Sequence, residues 1–136
     1  MHPIQWAANH PGQSIIAIEH TKTRFSRFRQ RLSHHPNISN IVPVFDDAIS
    51  WVTHRVPMES LAGVYILYPN PYPKESQANK RWHQMPFMAR VIECLRPGGF
   101  IRLATNESFY ADEATRWFRT YWGLQQTSNE TVSMTP

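Results

Sequence analysis

The sequence predicts an α/β fold, a mostly parallel sheet with helices on both faces. Short runs rich in β-branched residues, SIIAIE (14–19), IVPVF (41–45), AGVYILY (62–68) and FIRLAT (100–105), alternate with longer amphipathic segments. Such alternation requires right-handed crossovers between parallel strands. The 136 residues and the 41% hydrophobic fraction provide for one domain with a core. Residues 1–122 read as that domain and 123–136 as a polar tail.

The elements follow in order. QWAANHPGQ reads as the end of a helix. SIIAIE is a continuous apolar run ending in an acid, hence a buried strand. TKTRFSRFRQRLSHH (21–35) is a helix with Phe25, Phe28 and Leu32 on one face and Lys22, Arg24, Arg27 and Arg31 mostly elsewhere. In IVPVF, Pro43 lacks a donor, which places the strand at an edge. DDAISWVTHRV (46–56) opens with acids suited to a helix N-terminus. AGVYILY is the most strand-like run. MPFMARVIECL (85–95) puts Met88, Val91, Ile92 and Leu95 on one helical face. RPGG (96–99) signals a turn before FIRLAT. SFYADEATRWFRTYW (108–122) is a helix with Ser108 as its cap and Gly123 as its stop.

No run is apolar over the length of a membrane span. The first residues lack the basic segment and apolar stretch of a secretory signal. Cys94 is the single cysteine, so disulfide scaffolds and cysteine-based zinc sites are excluded, and a reducing, cytoplasmic setting is expected. The seven histidines show no ligand spacing with a Cys or carboxylate partner, so no metal site is expected. A formal charge of +4 fits either a polyanionic partner or ordinary solubility.

Ligands of parallel sheets sit beyond the carboxyl ends of the strands. Three features fall there. Glu19 can accept from a ribose diol, or it is a solvated strand end. Asp47 can accept from an adenine amino group, or it caps the next helix. YPNPYPK (68–74) places Tyr68, Asn70 and Tyr72 each before a proline, which predicts a stiff, extended segment. Asn70 and Tyr72 together offer an amide and a ring, enough to hold a flat base by its edge and face.

YPNPYPK, NKR (79–81), LRPGGFIRLAT (95–105) and Tyr110-Ala111, with IAIE and DDA upstream, resemble the tRNA (guanine-N7-)-methyltransferase family over about residues 12–120. That resemblance implies a Rossmann-like methyltransferase fold, S-adenosylmethionine as cofactor and tRNA as substrate and partner. It implies that Glu19 holds the ribose and Asp47 the adenine end of the cofactor. It places Asn70 at the reacting guanine as the catalytic position, with Tyr72 and Lys74 beside it. Lys80 and Arg81 would meet tRNA phosphate, and Asn106 stands at a further substrate position.

The departures from the family pattern are specific. The Asp between the family's two prolines is Asn70 here, its Trp is Tyr72, and its Thr-Asp is Thr105-Asn106. Trp82 stands where an Arg is usual. The C-terminal Thr-(Lys/Arg)-(Phe/Tyr)-Glu signature is absent. The family's first strand and Gly-x-Gly turn have no counterpart, so the fold is expected to lack them and cofactor binding is expected to be impaired. Direct pairing of 14–19 with 62–68, a homodimer, or a further N-terminal segment would then complete the sheet. Two alternatives remain: a catalytically impaired RNA-binding or scaffold relative, and, from Asn70-Pro71-Tyr72, the Asn-Pro-Pro-Tyr loop of enzymes that methylate exocyclic amines.

Overall fold

A computed structural model describes residues 3–129. The chain divides into two compact units, residues 1–56 and 57–136, each built on its own pair of parallel strands. The α/β, parallel character expected from the sequence is present. In place of one sheet, the described residues form two two-stranded ones.

The first unit runs α1 (Pro3–Asn9), β1 (Ile15–Glu19), α2 (Lys22–Ser33), β2 (Ile41–Phe45) and α3 (Ala48–Arg55). β1 pairs with β2 in register from Ile15↔Ile41 to Glu19↔Phe45. Pro43 lies opposite Ala17 on a strand with one ladder partner, the edge position that its missing donor requires. Ile4, Ala7 and Ile41 form the core, with Trp6, Ile15, Ala17, Phe28, Leu32 and Ile38 packed on it. Alternation along the strands sends Ile16 and Val42, neighbours in register, to the opposite face, where both are exposed. The Asn40 amide donates to the carbonyls of Ala7, His10 and Gln13 (2.9, 3.0 and 2.8 Å), tying the end of α1 to the start of β2.

The second unit runs β3 (Leu61–Leu67), two short 3₁₀ turns (Glu75–Lys80 and Trp82–Gln84), α4 (Phe87–Cys94), β4 (Leu95–Ala104) and α5 (Ser108–Thr120). β3 and β4 pair from Gly63↔Phe100 to Leu67↔Ala104. Gly63 makes room for the Phe100 ring: a Cβ here would collide with the ring's far end, so the ring would have to shift. The turn expected at 96–99 is absorbed into β4, since Leu95 already pairs with Leu61 across an irregularity in the ladder. Met88, Val91 and Cys94 are the buried residues of α4, and Tyr110 and Ala114 those of α5. α5 is capped by Glu107 and not by Ser108, which is its first helical residue; Thr105 Oγ1 accepts the Glu107 N–H at 3.1 Å. Gly123, at φ 71°, ends the helical path and lets the Leu124 N–H return to the Phe118 carbonyl at 2.8 Å. Of the polar tail, residues 123–129 carry no regular element; 130–136 lie outside the described residues.

Candidate functional site

In the first unit the candidate positions cluster at the carboxyl ends of β1 and β2. Glu19 is the last residue of β1 and Phe45 its register partner, so Asp46 and Asp47 follow at the same rim. The Glu19 carboxylate is partly exposed and lies 3.9 Å from His20 Nδ1. Asp47 caps α3: its Oδ1 accepts the Ile49 N–H at 3.3 Å, while Asp46 Oδ1 accepts the Asp47 N–H at 2.7 Å. Asp47 remains exposed, so capping leaves its second carboxylate oxygen accessible.

In the second unit the proline segment leaves the carboxyl end of β3, with the Tyr68 N–H donating to the Ala104 carbonyl at 2.7 Å. The segment is bent, not uniformly extended as the prolines predict. Tyr68 (φ 50°) and Tyr72 (φ 44°) take left-handed backbone. A following proline disfavours the right-handed helical region, but it leaves this bend available at a cost of about 1–3 kcal/mol where the surroundings hold it. Tyr72 is held on both sides. Asn70 Oδ1 accepts its N–H at 3.1 Å, and Arg81 Nε donates to its carbonyl at 3.1 Å. Asn70 is exposed, keeping its two amide hydrogens and one carbonyl lone pair for a ligand.

The basic residues after the prolines divide sharply. Lys74 is exposed. Lys80 is exposed, with its ammonium 5.6 Å from the Tyr72 ring centroid, a cation–π distance. Asn106 is exposed just past β4, at the same carboxyl end of the strand pair as Asn70.

Arg81, expected at tRNA phosphate, is instead 2% exposed. Its Nη1 donates to Glu113 Oε1 and Oε2 at 3.0 and 2.8 Å, its Nη2 donates to the Lys74 carbonyl at 3.4 Å, and its guanidinium lies over the Phe109 ring. A cation so enclosed by carboxylate and carbonyls braces the loop from behind and offers no face to an RNA.

Glu113 was not singled out by sequence, yet it organises the cluster. Besides Arg81 it receives His83 Nε2 at 2.6 Å and Gln84 Nε2 at 2.7 Å. Burial alone would raise its pKa; the hydrogen bonds from His83, Arg81 and Gln84 and the Arg81 charge outweigh that and hold it below the ordinary value. His83 is fully buried. Burial lowers its pKa against the pull of Glu113; Nε2 donates to the Glu113 carboxylate, and Nδ1 has no partner among the described residues. The Tyr110 hydroxyl accepts the Trp82 N–H at 3.1 Å, and Trp122 Nε1 donates to the His83 carbonyl at 2.8 Å. One signal for Glu113 was present: it shares the apolar stripe of α5 with Tyr110, Ala114 and Trp117, where a lone acid needs a partner.

Residues 1–135 match a family model described as "Putative methyltransferase". The chain belongs to this methyltransferase family. Its similarity to individual members agrees with the resemblance drawn from the proline, Asn-Lys-Arg and Pro-Gly-Gly motifs. It is 31% identical over 108 residues to a protein of Nitrosomonas eutropha named tRNA (guanine-N(7)-)-methyltransferase, covering 79% of this chain and 48% of that one. A Legionella pneumophila (strain Paris) protein of the same name is 34% identical over 106 residues, covering 78% and 44%. A Burkholderia lata protein, also so named, is 31% identical over 107 residues, covering 79% and 42%. The chain therefore spans a little under half the length of these relatives. Among the described residues, no helix is long and apolar enough to cross a membrane.

Proposed function

We propose that this chain acts as an S-adenosylmethionine-dependent methyltransferase on guanine N7 of tRNA, with residues 1–122 as its working domain. One observation carries the reading. In a member of this family, an exposed amide, Asn70, is fixed by an Asx turn to the Tyr72 N–H just beyond the carboxyl end of a parallel strand. The relatives named for this activity support the substrate class.

The residues fit the cofactor by their chemistry. A ribose diol and an adenine amino group both need acceptors, and Glu19 and Asp47 present carboxylates at one rim. When bound, S-adenosylmethionine supplies an electrophilic methyl group on a sulfonium. Guanine N7 carries an exposed lone pair, so no residue has to remove a proton first. The work left to the protein is positioning. Asn70 offers its remaining carbonyl lone pair to the guanine N–H edge and Tyr72 offers its ring. Lys74 and Lys80 supply positive charge for phosphate. Arg81 keeps the loop in shape and contacts no RNA.

Asn70 also favours a second reading, an RNA-binding relative with impaired catalysis. Half of its carbonyl capacity is spent on Tyr72, and a neutral acceptor is about half as strong as a charged one. Titration calorimetry with S-adenosylhomocysteine separates the two readings. Micromolar binding that Glu19→Ala abolishes supports the enzyme; no heat at millimolar ligand favours the RNA-binding relative.

A further inference from the structure

We propose that the polar face of α2 is an RNA-docking surface that grips the phosphate backbone of tRNA. This rests on the substrate class proposed above, but on different residues and in the first unit.

α2 carries Lys22, Arg24, Arg27, Arg29 and Arg31 within twelve residues, and residues 20–45 contain no Asp or Glu. All five cations are exposed. The helix's rotation is fixed by its other side: Phe28 and Leu32 pack on the Ile4, Ala7 and Ile41 core, and Phe25 stacks on Phe45 with ring centroids 5.3 Å apart. The cations therefore face outward on two rails, Arg24, Arg27 and Arg31 on one side and Lys22 and Arg29 on the other. Thr23, Ser26 and Gln30 lie between the rails.

This arrangement works against the helix. Arg24–Arg27 and Arg27–Arg31 are like charges one turn apart, and Lys22 sits at the positive end of the helix dipole. Among the described residues, no acid pairs with Lys22, Arg24, Arg27 or Arg29. A face serving solubility alone mixes the two signs. A single-sign face with hydrogen-bonding side chains between its cations matches a row of phosphates, whose capture releases counterions.

The surface continues past the helix end into a groove of about 330 Å³ lined by Ile4, Gln5, Ala8, Arg31, His35 and Ile38. A mainly apolar lining that includes an amide, an imidazole and a cation suits an unstacked base. A membrane surface is the competing use of a cationic helix, but that use buries the apolar face in lipid, and here Phe28 and Leu32 are spent on the core.

The test compares the wild-type chain, R24Q/R27Q/R29Q and R24K/R27K/R29K for binding of a labelled unmodified tRNA transcript by fluorescence anisotropy across KCl concentrations. Far-UV circular dichroism controls for folding. The glutamine variant should bind about tenfold to a hundredfold more weakly near 0.1 M salt, with the slope of log K against log salt reduced by about 2. The lysine variant should keep the wild-type slope, and so should R116Q/R119Q, which removes cations from α5. A glutamine variant within twofold of wild type, or tRNA that does not bind at all, overturns the proposal. So does loss of binding to phosphatidylglycerol vesicles with tRNA binding intact. Salt-dependent tRNA binding lost in the glutamine variant, in a chain that takes up no S-adenosylhomocysteine, upholds this surface while the catalytic reading fails.

Discussion

Glu113→Gln tests the brace behind the proline loop. The substitution keeps the side chain's size and removes its charge. Glu113 now receives two contacts from Arg81 Nη1 (3.0 and 2.8 Å), one from His83 (2.6 Å) and one from Gln84 (2.7 Å). Glutamine accepts at one oxygen only, and its own N–H₂ would face donors. Arg81, 2% exposed, would be left without a counter-charge. Removing one partner of a buried ion pair costs about 3–5 kcal/mol. Glu113 is 18% exposed, which favours the lower end, about 3 kcal/mol. With a urea slope of about 1–3 kcal/mol per molar, the unfolding midpoint of the second unit should fall by about 1–3 M. Hydrogen exchange should quicken at residues 70–84, since Arg81 also holds the carbonyls of Tyr72 and Lys74. A midpoint within about 0.2 M of wild type and unchanged exchange would refute the brace.

Three further outcomes follow. Acid should weaken the second unit in two stages. His83 has its pKa depressed by burial below the ordinary 6.5, so its contribution is complete above that pH and declines as pH falls through the depressed value. Glu113, depressed by its donors below 4.5, adds a second loss at lower pH. Urea midpoints from about pH 7.5 down to about pH 2.5 check this, and a midpoint that rises on acidification contradicts it. Gly63→Ala drives a methyl group into the far end of the Phe100 ring and should cost about 1–3 kcal/mol, partly recovered by adding Phe100→Leu, as read by thermal unfolding. Asn70→Asp keeps the acceptor for the Tyr72 N–H and adds a charge, so methyl transfer should rise about tenfold or more, whereas Asn70→Ala should abolish it; equal initial rates for all three chains would remove Asn70 from the site.

The regular elements were legible because their periodicity is local. IVPVF is a strand over 41–45 as read, and the amphipathic runs at 22–33 and 108–120 are helices within two residues of their expected limits. The 3₁₀ turns at 75–84 were not legible, since single turns carry no repeat to detect. RPGG has the composition of a turn, but pairing of Leu95 with Leu61 draws it into the strand. At the site, the carboxylates at the strand ends and the stiff amide segment were visible in sequence. The fate of Arg81 was not. It stands in a basic run beside Lys80, and only a carboxylate 32 residues further along the chain decides that one cation turns inward while the other stays in solvent. The left-handed bends at Tyr68 and Tyr72 were hidden for a related reason. Proline excludes one region of backbone space without choosing among the rest; at Tyr72 the bend is held by Asn70 and Arg81, and at Tyr68 the N–H is held by the Ala104 carbonyl.

The most direct measurement incubates the purified chain with methyl-labelled S-adenosylmethionine and unmodified tRNA. The product is then treated with borohydride and aniline, which cleave RNA at N7-methylguanine. Labelled tRNA cleaved at a defined guanine is the predicted result. Unlabelled tRNA, or label on a base that resists cleavage, would contradict the assignment of Asn70 and Tyr72 to guanine N7.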